Sequence, residues 1–187
     1  MTRGCTIAAV AAMLVAGFVT AASAFDPDNP PQPVLLTWIP SPLAPNQRAT
    51  RIVIDKSWRM MMIESKGEVL RVYTIGLGDD PVGHKEQRGD SRTPEGVYSI
   101  DFKHDKSRYH LSMRISYPNN ADRARARKMR VHPGSDIMIH GTPNGLEWWR
   151  TMLMDRDWTD GCVAVTNSEI EEIWSLVRVG TQVVIRP

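Results

Sequence analysis

The segments RIVID at residues 51–55 and RMMMIE at residues 59–64 are short apolar runs separated by a few polar residues. Both have the length and the Ile and Val content of β-strands, and the residues between them provide a short connection. Similar runs follow along the chain at residues 69–75 (VLRVYTI), 97–102 (VYSIDF), 109–117 (YHLSMRISY) and 181–185 (TQVVI). This pattern predicts a mainly β domain.

One or two short helices complete the predicted fold. Thr166 and Glu169 have the spacing of a capping box, which indicates a helix start. We expect this helix to bury Ile170, Ile173, Trp174 and Val177 and to be closed by Gly180. Residues 119–129 have the composition of a second helix. Its basic side chains indicate either a solvated face or a contact with an anionic polymer. They are Arg123, Arg125, Arg127, Lys128 and Arg130.

Length and composition exclude several classes of protein. The chain has 187 residues, of which 42% are hydrophobic and 24% are charged, and this balance is typical of one folded globular domain. Two cysteines cannot form the dense disulfide framework of a small secreted domain. The net charge of +2 is too small to predict nucleic-acid binding.

The first 48 residues are predicted to lie outside the domain. Arg3 followed by an apolar run at residues 6–22 and the small residues Ala22-Ser23-Ala24 is typical of a secretory signal peptide over residues 1–24. The alternative is a permanent membrane anchor, which the low hydrophobicity of the run disfavours. Residues 25–48 are rich in proline and indicate an extended arm, so the domain is assigned to residues 49–187.

Cys162 is the strongest functional candidate. Cleavage after Ala24 would remove Cys5 and leave Cys162 as the only cysteine of the mature protein. Cys162 stands where the polar turn DWTDG, residues 157–161, leads into the apolar run VAV. Gly161 allows a tight turn that exposes a nucleophile together with amides able to bind an oxyanion. The alternative is an inert, buried cysteine.

His140 is the best candidate for a base that activates this thiol. It ends the apolar run at residues 137–140 and leads directly into Gly141 and the loop TPNG. A thiol attacks as thiolate and therefore needs a base or a cation beside it. The alternative is a core histidine bonded to the backbone. A weaker hypothesis, a zinc site of His132, His140, Asp160 and Cys162, has irregular spacing that matches no common metal signature.

At these positions the sequence resembles the L,D-transpeptidase catalytic domain (YkuD-like) family. The resemblance covers residues 50–186 and is carried by the order and spacing of several motifs: DSRTPEGVY (90–98), ISYPN (115–119), IHGTPNG (139–145), DWTDGCVAV (157–165) and VGTQVVI (179–185). It implies a β-sandwich-like fold and a cysteine enzyme of bacterial peptidoglycan, exported to the periplasm or cell envelope, with roles in cell wall biogenesis and cell shape. It implies no cofactor and no metal.

The resemblance also implies site roles. Cys162 is the nucleophile that attacks the diamino-acid carbonyl of a stem peptide and expels the terminal D-alanine through a thioester. His140 is the general base and acid, and the backbone amides of Gly161 and Cys162 form much of the oxyanion hole. A backbone carbonyl, or the loop that begins at Gly141, orients the imidazole.

Two departures from the family pattern leave alternatives open. Asp160 stands where most members have a second histidine, and it either orients His140, binds a substrate ammonium group or only forms the turn. Ala164 stands where many members have an arginine. The variant around Cys162 resembles hydrolases that release a wall-linked lipoprotein, so hydrolysis is an alternative to cross-linking. A non-catalytic wall-binding module is the non-enzyme alternative.

Four further residues are predicted to contact the substrate. Thr159 and Trp158 precede the thiol, while Asn144 follows His140 in the loop. Trp149 lies between the two motifs, and together with Trp158 it forms either a stacking wall over a sugar–peptide substrate or part of the core.

Overall fold

The computed structural model describes residues 42–146 and 156–187. Within these ranges the chain forms eight strands and two helices. In chain order they are β1 (Arg51–Asp55), β2 (Met60–Ser65), β3 (Glu68–Thr74), β4 (Gly96–Ser107), β5 (His110–Ile115), α1 (Asn120–Met129), β6 (Met138–His140), β7 (Val163–Ala164), α2 (Asn167–Leu176) and β8 (Gln182–Arg186). Among the described residues, no helix combines the length and apolar character needed to cross a membrane.

The strands form one curled sheet in the order β3-β2-β1-β8-β4-β5-β6-β7. The first strand, β1, pairs antiparallel with β2 and parallel with the last strand, β8. Its central residues Ile52, Val53 and Ile54 are buried, as expected for an interior strand covered on both faces. The beginning and the end of the described domain are therefore joined side by side.

Strand β4 connects the two halves of the sheet. Its first residues pair with β8 and its later residues pair with β5. The register shifts between Ile100 and Phe102 and again between His104 and Ser107. Such irregularities bend a strand. In β4 the bends connect the half of the sheet that contains β8 with the half that contains β5, and they form the corner of a sandwich-like domain. The predicted mainly β fold with one or two short helices is confirmed.

Helix α2 packs its apolar face on the sheet. Ile170, Ile173 and Leu176 are buried against the core that also contains Met113 and Ile139 of β5 and β6. The predicted capping box is present, since the Thr166 side chain accepts the Glu169 amide while the Glu169 carboxylate accepts the Thr166 amide. This helix closes the core beneath the strands that carry His140 and Cys162.

The end of α2 differs from the prediction. The helix ends at Leu176, with Val177 at the C-cap in an extended conformation, so Gly180 does not close it. Gly180 has a φ of 92° and lies in the turn before β8, where its amide donates to the Ile100 carbonyl. The apolar pattern of the sequence continues through Val177, but the helix ends one residue earlier. Val177 is buried in the connection to β8.

The predicted signal peptide, residues 1–24, and residues 25–41 of the predicted arm lie outside the described residues. Of the arm predicted at residues 25–48, the described end contacts the domain, because Leu43 packs against the core. The amide of Ala49, just beyond it, donates to the Leu176 carbonyl at 3.0 Å. The last residues before β1 are thus tied to α2.

Candidate active site

The parallel pair β6–β7 brings the two candidate catalytic residues together. Ile139 lies opposite Val163 and His140 lies opposite Ala164. Cys162 directly precedes β7 and therefore comes level with Met138, whose amide donates to the Cys162 Sγ at 3.4 Å. Because side chains alternate along a strand, this register puts Cys162 and His140 on the same face of the sheet. His140 is level with the small Ala164, and Cys162 lies diagonal to it.

The Cys162 thiol is held in its protonated form. Its Sγ lies 3.8 Å from the carbonyl oxygen of Asp136, which is the acceptor for the thiol proton. Burial raises the pKa of Cys162 to about 11, opposed mainly by the Met138 amide, which favours the thiolate. Nearby carboxylates of Asp160 and Asp136 also raise this pKa, whereas the Lys85 ammonium lowers it.

His140 is buried, with only 3% of its surface exposed. Its Nδ1 lies 2.7 Å from the carbonyl oxygen of Gly141. A carbonyl only accepts, so Nδ1 must carry the proton and Nε2 keeps the lone pair that can take a proton from a thiol. The ring contacts Tyr109, at 4.5 Å between centroids, and the edge-on Trp158, at 5.7 Å.

The same burial keeps the imidazole neutral. It lowers the pKa of His140 to about 4, and the hydrogen bond to Gly141 only partly opposes this effect. At neutral pH the site therefore holds a neutral thiol and a neutral imidazole in place of a preformed ion pair. A thiol of this kind can act as a nucleophile only if its proton is removed as the new bond forms.

Thr159 and Gly161 form hydrogen bonds inside the turn that presents Cys162. Thr159 is buried, and its hydroxyl donates to the Cys162 carbonyl at 2.7 Å and accepts the Gly161 amide at 3.1 Å. The Gly161 amide is thus bonded inside the turn, and its place in an oxyanion hole remains a prediction. The Thr159 hydroxyl stabilises the turn that presents Cys162, and its contact with substrate also remains a prediction.

Gly161 is required for the shape of this turn. Its φ is 115°, and a Cβ at this position would lie closer than 3.0 Å to the Arg92 carbonyl oxygen and 3.2 Å from Ile137 Cδ1. Gly161→Ala is expected to lower the free energy of unfolding by about 2 to 4 kcal/mol, because backbone strain adds to a clash with main-chain atoms that cannot easily move. Urea unfolding followed by circular dichroism measures this loss.

Gly67 provides the matched control. Its φ is 92°, but a Cβ there would meet nothing within 4 Å. Gly67→Ala should therefore cost about 1 kcal/mol, which is the conformational penalty alone. Equal losses in the two variants would show that the contact between Gly161 and Arg92 has no energetic importance.

Asp160 and Asn144 lie in different surroundings. The Gly141 carbonyl is the partner of His140 Nδ1, whereas the Asp160 side chain is exposed on the wall of a neighbouring cavity, and the roles considered for Asp160 remain predictions. The Asn144 side chain donates to the Ser107 carbonyl at 3.1 Å and accepts the His110 amide at 2.9 Å. These bonds anchor the loop to the β4–β5 hairpin, and the contact of Asn144 with substrate remains a prediction.

Of the two tryptophans predicted to contact substrate, one lies within the described residues. Trp149 lies outside the described residues. Trp158 is half-buried, and its indole Nε1 has no hydrogen-bond partner among the described residues. Its ring contacts His140 and Tyr109, so it forms part of the wall around the imidazole.

Sequence reasoning missed two contributors to the site. Tyr109 covers one face of the His140 ring, and the Met138 amide donates to the thiol. Tyr109 belongs to the β4–β5 turn, far from His140 in sequence, and no pattern marks that contact. The contact between the Met138 amide and the thiol follows only from the register of β6 with β7. In the described part of the chain, no group of three or more His, Cys, Asp or Glu side chains is arranged to hold a metal ion.

The chain is similar in sequence to a curated bacterial protein. The curated Escherichia coli (strain K12) protein named "Putative L,D-transpeptidase YafK" is 32% identical over 112 residues, which are 59% of this chain. The chain spans only 38% of the length of that relative.

Solved structures share the fold. The helical cell shape determining protein Pgp2 from Campylobacter jejuni matches with a TM-score of 0.54 at 23% identity, over 75% of this chain and 48% of that one. An L,D-transpeptidase from Mycobacterium smegmatis matches with a TM-score of 0.50 at 14% identity, over 74% and 59% of the two chains. The family model described as the L,D-transpeptidase catalytic domain matches residues 49–185, and the chain therefore belongs to this family.

Proposed function

We propose that this chain is a cysteine-dependent L,D-transpeptidase that acts on peptidoglycan stem peptides through a thioester on Cys162. The observation that carries the proposal is the register of β6 and β7, which puts the Cys162 thiol diagonal to a histidine whose Nδ1 is held by the Gly141 carbonyl. Membership of the L,D-transpeptidase family supports the substrate class. We further propose that the protein works in the cell envelope, where this substrate is found, and contributes to cell wall biogenesis and cell shape, since Pgp2 is described as a cell shape determining protein.

The first half of the proposed reaction forms the thioester. His140 Nε2 accepts the thiol proton while Cys162 Sγ bonds to the carbonyl carbon of the diamino acid. The carbon–nitrogen bond to the terminal D-alanine then breaks, and His140 Nε2 returns the proton to the departing amine. Because the Gly161 amide is already bonded to Thr159, we assign the oxyanion to the backbone amide of Cys162.

The second half resolves the thioester. The amine of another stem peptide attacks the carbonyl carbon and gives a proton to His140 Nε2. The carbon–sulfur bond then breaks, and His140 returns the proton to Sγ to regenerate the Cys162 thiol. Water in place of the amine gives hydrolysis. Where the diamino-acid carbonyl is joined to an amine of a wall-linked lipoprotein in place of D-alanine, that amine leaves in the first half of the reaction and the lipoprotein is released. The same cysteine and histidine serve all of these outcomes.

Incubation with a purified disaccharide-tetrapeptide tests the proposal. Intact mass spectrometry should show an adduct on Cys162 equal to the donor minus D-alanine. A cross-linked dimer as the product supports transpeptidation, whereas a tripeptide alone supports hydrolysis. Folded protein that yields neither adduct nor product would contradict the proposal and favour a wall-binding module.

The rate of thioester formation should depend on pH in a particular way. Below the His140 pKa of about 4 the imidazole is protonated and cannot accept the thiol proton, so kcat/KM for acylation should fall as pH decreases through that value. Since the Cys162 pKa is about 11, no further ionisation of the pair should change the rate across neutral pH. We expect a plateau from about pH 5 to about pH 9.

Single-turnover release of D-alanine measures this profile without interference from the acceptor amine. An acid limb centred near the ordinary imidazole pKa of about 6.5 would contradict the burial argument for His140. A rate that rises tenfold per pH unit through neutrality would show that a solvent-formed thiolate attacks, without help from His140.

A further inference from the structure

We infer that the cavity between helix α1 and the segment that follows it binds a phosphate group of an anionic polymer built from sugar-phosphate or polyol-phosphate units. The cavity has a volume of about 440 Å³ and is bounded mainly by one face of α1 and by residues 131–135. Neither Cys162 nor His140 lines it, so the inference does not rest on the proposed function.

Positive charge is concentrated on α1 and at its end. Five of the eight residues from 123 to 130 are basic and none is acidic, in a chain whose net charge is only +2. Arg125 lies 3.4 Å from the Asp122 carboxylate. The other four basic side chains are exposed and form no ion pair within residues 42–146 and 156–187. They are Arg123, Arg127, Lys128 and Arg130. This uncompensated charge attracts anions to one side of the domain.

Two of these cations line the cavity. Arg123 and Arg127 are four residues apart, so their Cβ atoms lie about 6 Å from each other on one face of α1. No Asp or Glu is among the described residues that line the cavity. The next residue along the chain, Asp136, is already engaged, because its carboxylate accepts the Ser135 hydroxyl at 2.9 Å and lies 3.6 Å from Arg114. The cavity thus presents two guanidinium groups without a carboxylate to neutralise them.

His132 adds a neutral donor to the same wall. Its Nδ1 accepts the Gly134 amide at 3.0 Å, so Nδ1 has no proton and Nε2 carries it. The ring is exposed at the cavity, and its Nε2 forms no hydrogen bond with the part of the chain that the structure describes. The Nε2 proton can therefore be donated to an oxygen atom of a bound anion.

Hydrogen bonds to backbone carbonyls fix the shape of the cavity. The Val131 amide donates to the Ala126 carbonyl at 3.0 Å, which folds the chain back against the end of α1. The Tyr117 hydroxyl donates to the Pro133 carbonyl at 2.7 Å, which ties the following segment to the residues that precede α1. Both walls of the cavity are thus held by the fold.

The donors match a phosphate better than a carboxylate. A carboxylate has two oxygens in one plane, and a single guanidinium satisfies both through paired hydrogen bonds. A phosphate directs its oxygens to several sides, so it can accept from Arg123, Arg127 and His132 together. The remaining lining is largely apolar and includes Pro118 and Val131. A cavity of this size and composition also has room for the organic body to which the phosphate is attached.

Cations outside the cavity favour a polymer over a single small phosphate. Lys128 and Arg130 extend the basic surface at the end of α1 without lining the cavity. Arg88 is exposed beside it, because its amide donates to the His132 carbonyl at 2.7 Å. These side chains can contact neighbouring phosphates of a chain whose central phosphate occupies the cavity.

A membrane surface fits α1 less well. A helix that lies on a bilayer buries an apolar face between the lipid headgroups and uses its basic residues at the edges of that face. Within α1, Met129 is the exposed large apolar side chain, and the inward residues Asp122 and Ala126 are buried in the protein. The surface of α1 therefore lacks the apolar face that such binding needs.

Titration calorimetry of the native protein with a short poly(glycerol phosphate) oligomer tests the inference. The oligomer should bind with saturation, and more tightly than a polyglutamate oligomer with the same number of charges. Arg127→Gln should weaken binding of the phosphate oligomer about tenfold, because a charged hydrogen-bond donor to the central phosphate is lost. Arg123→Gln should have an effect of similar size.

Lys128→Gln is the matched control. Lys128 follows Arg127 directly and lies in the same last turn of α1, so both changes remove one exposed charge and the same interaction with the helix dipole. Lys128 does not line the cavity, and its loss should weaken binding about threefold or less. Circular dichroism should be the same for all of these variants, since the replaced side chains are exposed.

Four results would overturn the inference. Equal weakening by Arg127→Gln and Lys128→Gln would show that only a diffuse charged surface attracts the polymer. Equal affinities for the two oligomers would show that the cavity does not select phosphate. Absence of saturable binding would exclude the site, and binding to vesicles that contain phosphatidylglycerol but not to the oligomer would assign the basic surface to a membrane.

Discussion

Replacing Cys162 with alanine is expected to reduce D-alanine release from a tetrapeptide donor by roughly 10⁴-fold or more. The proposed covalent bond forms at Sγ, and the variant has no atom that can form it. Among the described residues, the thiol accepts one hydrogen bond, from the Met138 amide, and donates a long one to the Asp136 carbonyl. Its loss should therefore change the free energy of unfolding by about 1 kcal/mol or less. Donor turnover and urea unfolding on the same preparation measure the two effects separately.

Cys162→Ser sharpens this test. The serine hydroxyl nearly preserves the size and polarity of the thiol, yet it is far less acidic, and a buried imidazole with a pKa near 4 is a weak base for it. We expect this variant to be inactive and to show no mass adduct. Turnover by either variant would show that Cys162 is not the nucleophile. If the native protein binds sacculi without turning over the donor, and both variants still bind, the chain is a wall-binding module.

The sequence predicts much of the fold because its signals are local. The apolar run of β2 and the capping box of Thr166 and Glu169 depend on neighbours a few residues away. The parallel contact between β1 and β8 has no such signal, because it joins the two ends of the domain. Nothing in either segment specifies the direction in which its partner runs.

In the candidate site, too, local sequence signals identify the residues but not the hydrogen bonds that single atoms form. A lone cysteine and a histidine at a strand end were sufficient to identify Cys162 and His140 as candidates. The use of the Gly161 amide could not be predicted, because it depends on how the Thr159 hydroxyl turns towards the backbone. Likewise, Asn144 looks available in the sequence, but its side chain is committed to the β4–β5 hairpin once the chain is folded.

Replacing His140 with glutamine is expected to slow thioester formation by about 10²- to 10⁴-fold, the contribution usual for a general base. Glutamine can still donate to the Gly141 carbonyl, but its amide cannot accept the thiol proton. His110→Gln is the control, because it removes an imidazole from the start of β5, where Nε2 contacts Glu171 at 2.7 Å on the surface. That change should cost little, as exposed ion pairs contribute at most about 1 kcal/mol.

The pH dependence of His140→Gln distinguishes a base from a structural residue. Without an internal base, the thiolate must form by loss of the proton to solvent, so the residual rate should rise about tenfold per pH unit towards the Cys162 pKa of about 11. The acid limb that belongs to His140, near pH 4, should disappear. A variant that is slower by a constant factor, with the parent profile unchanged at both ends, would show that His140 only supports the position of Cys162 and that another group removes its proton.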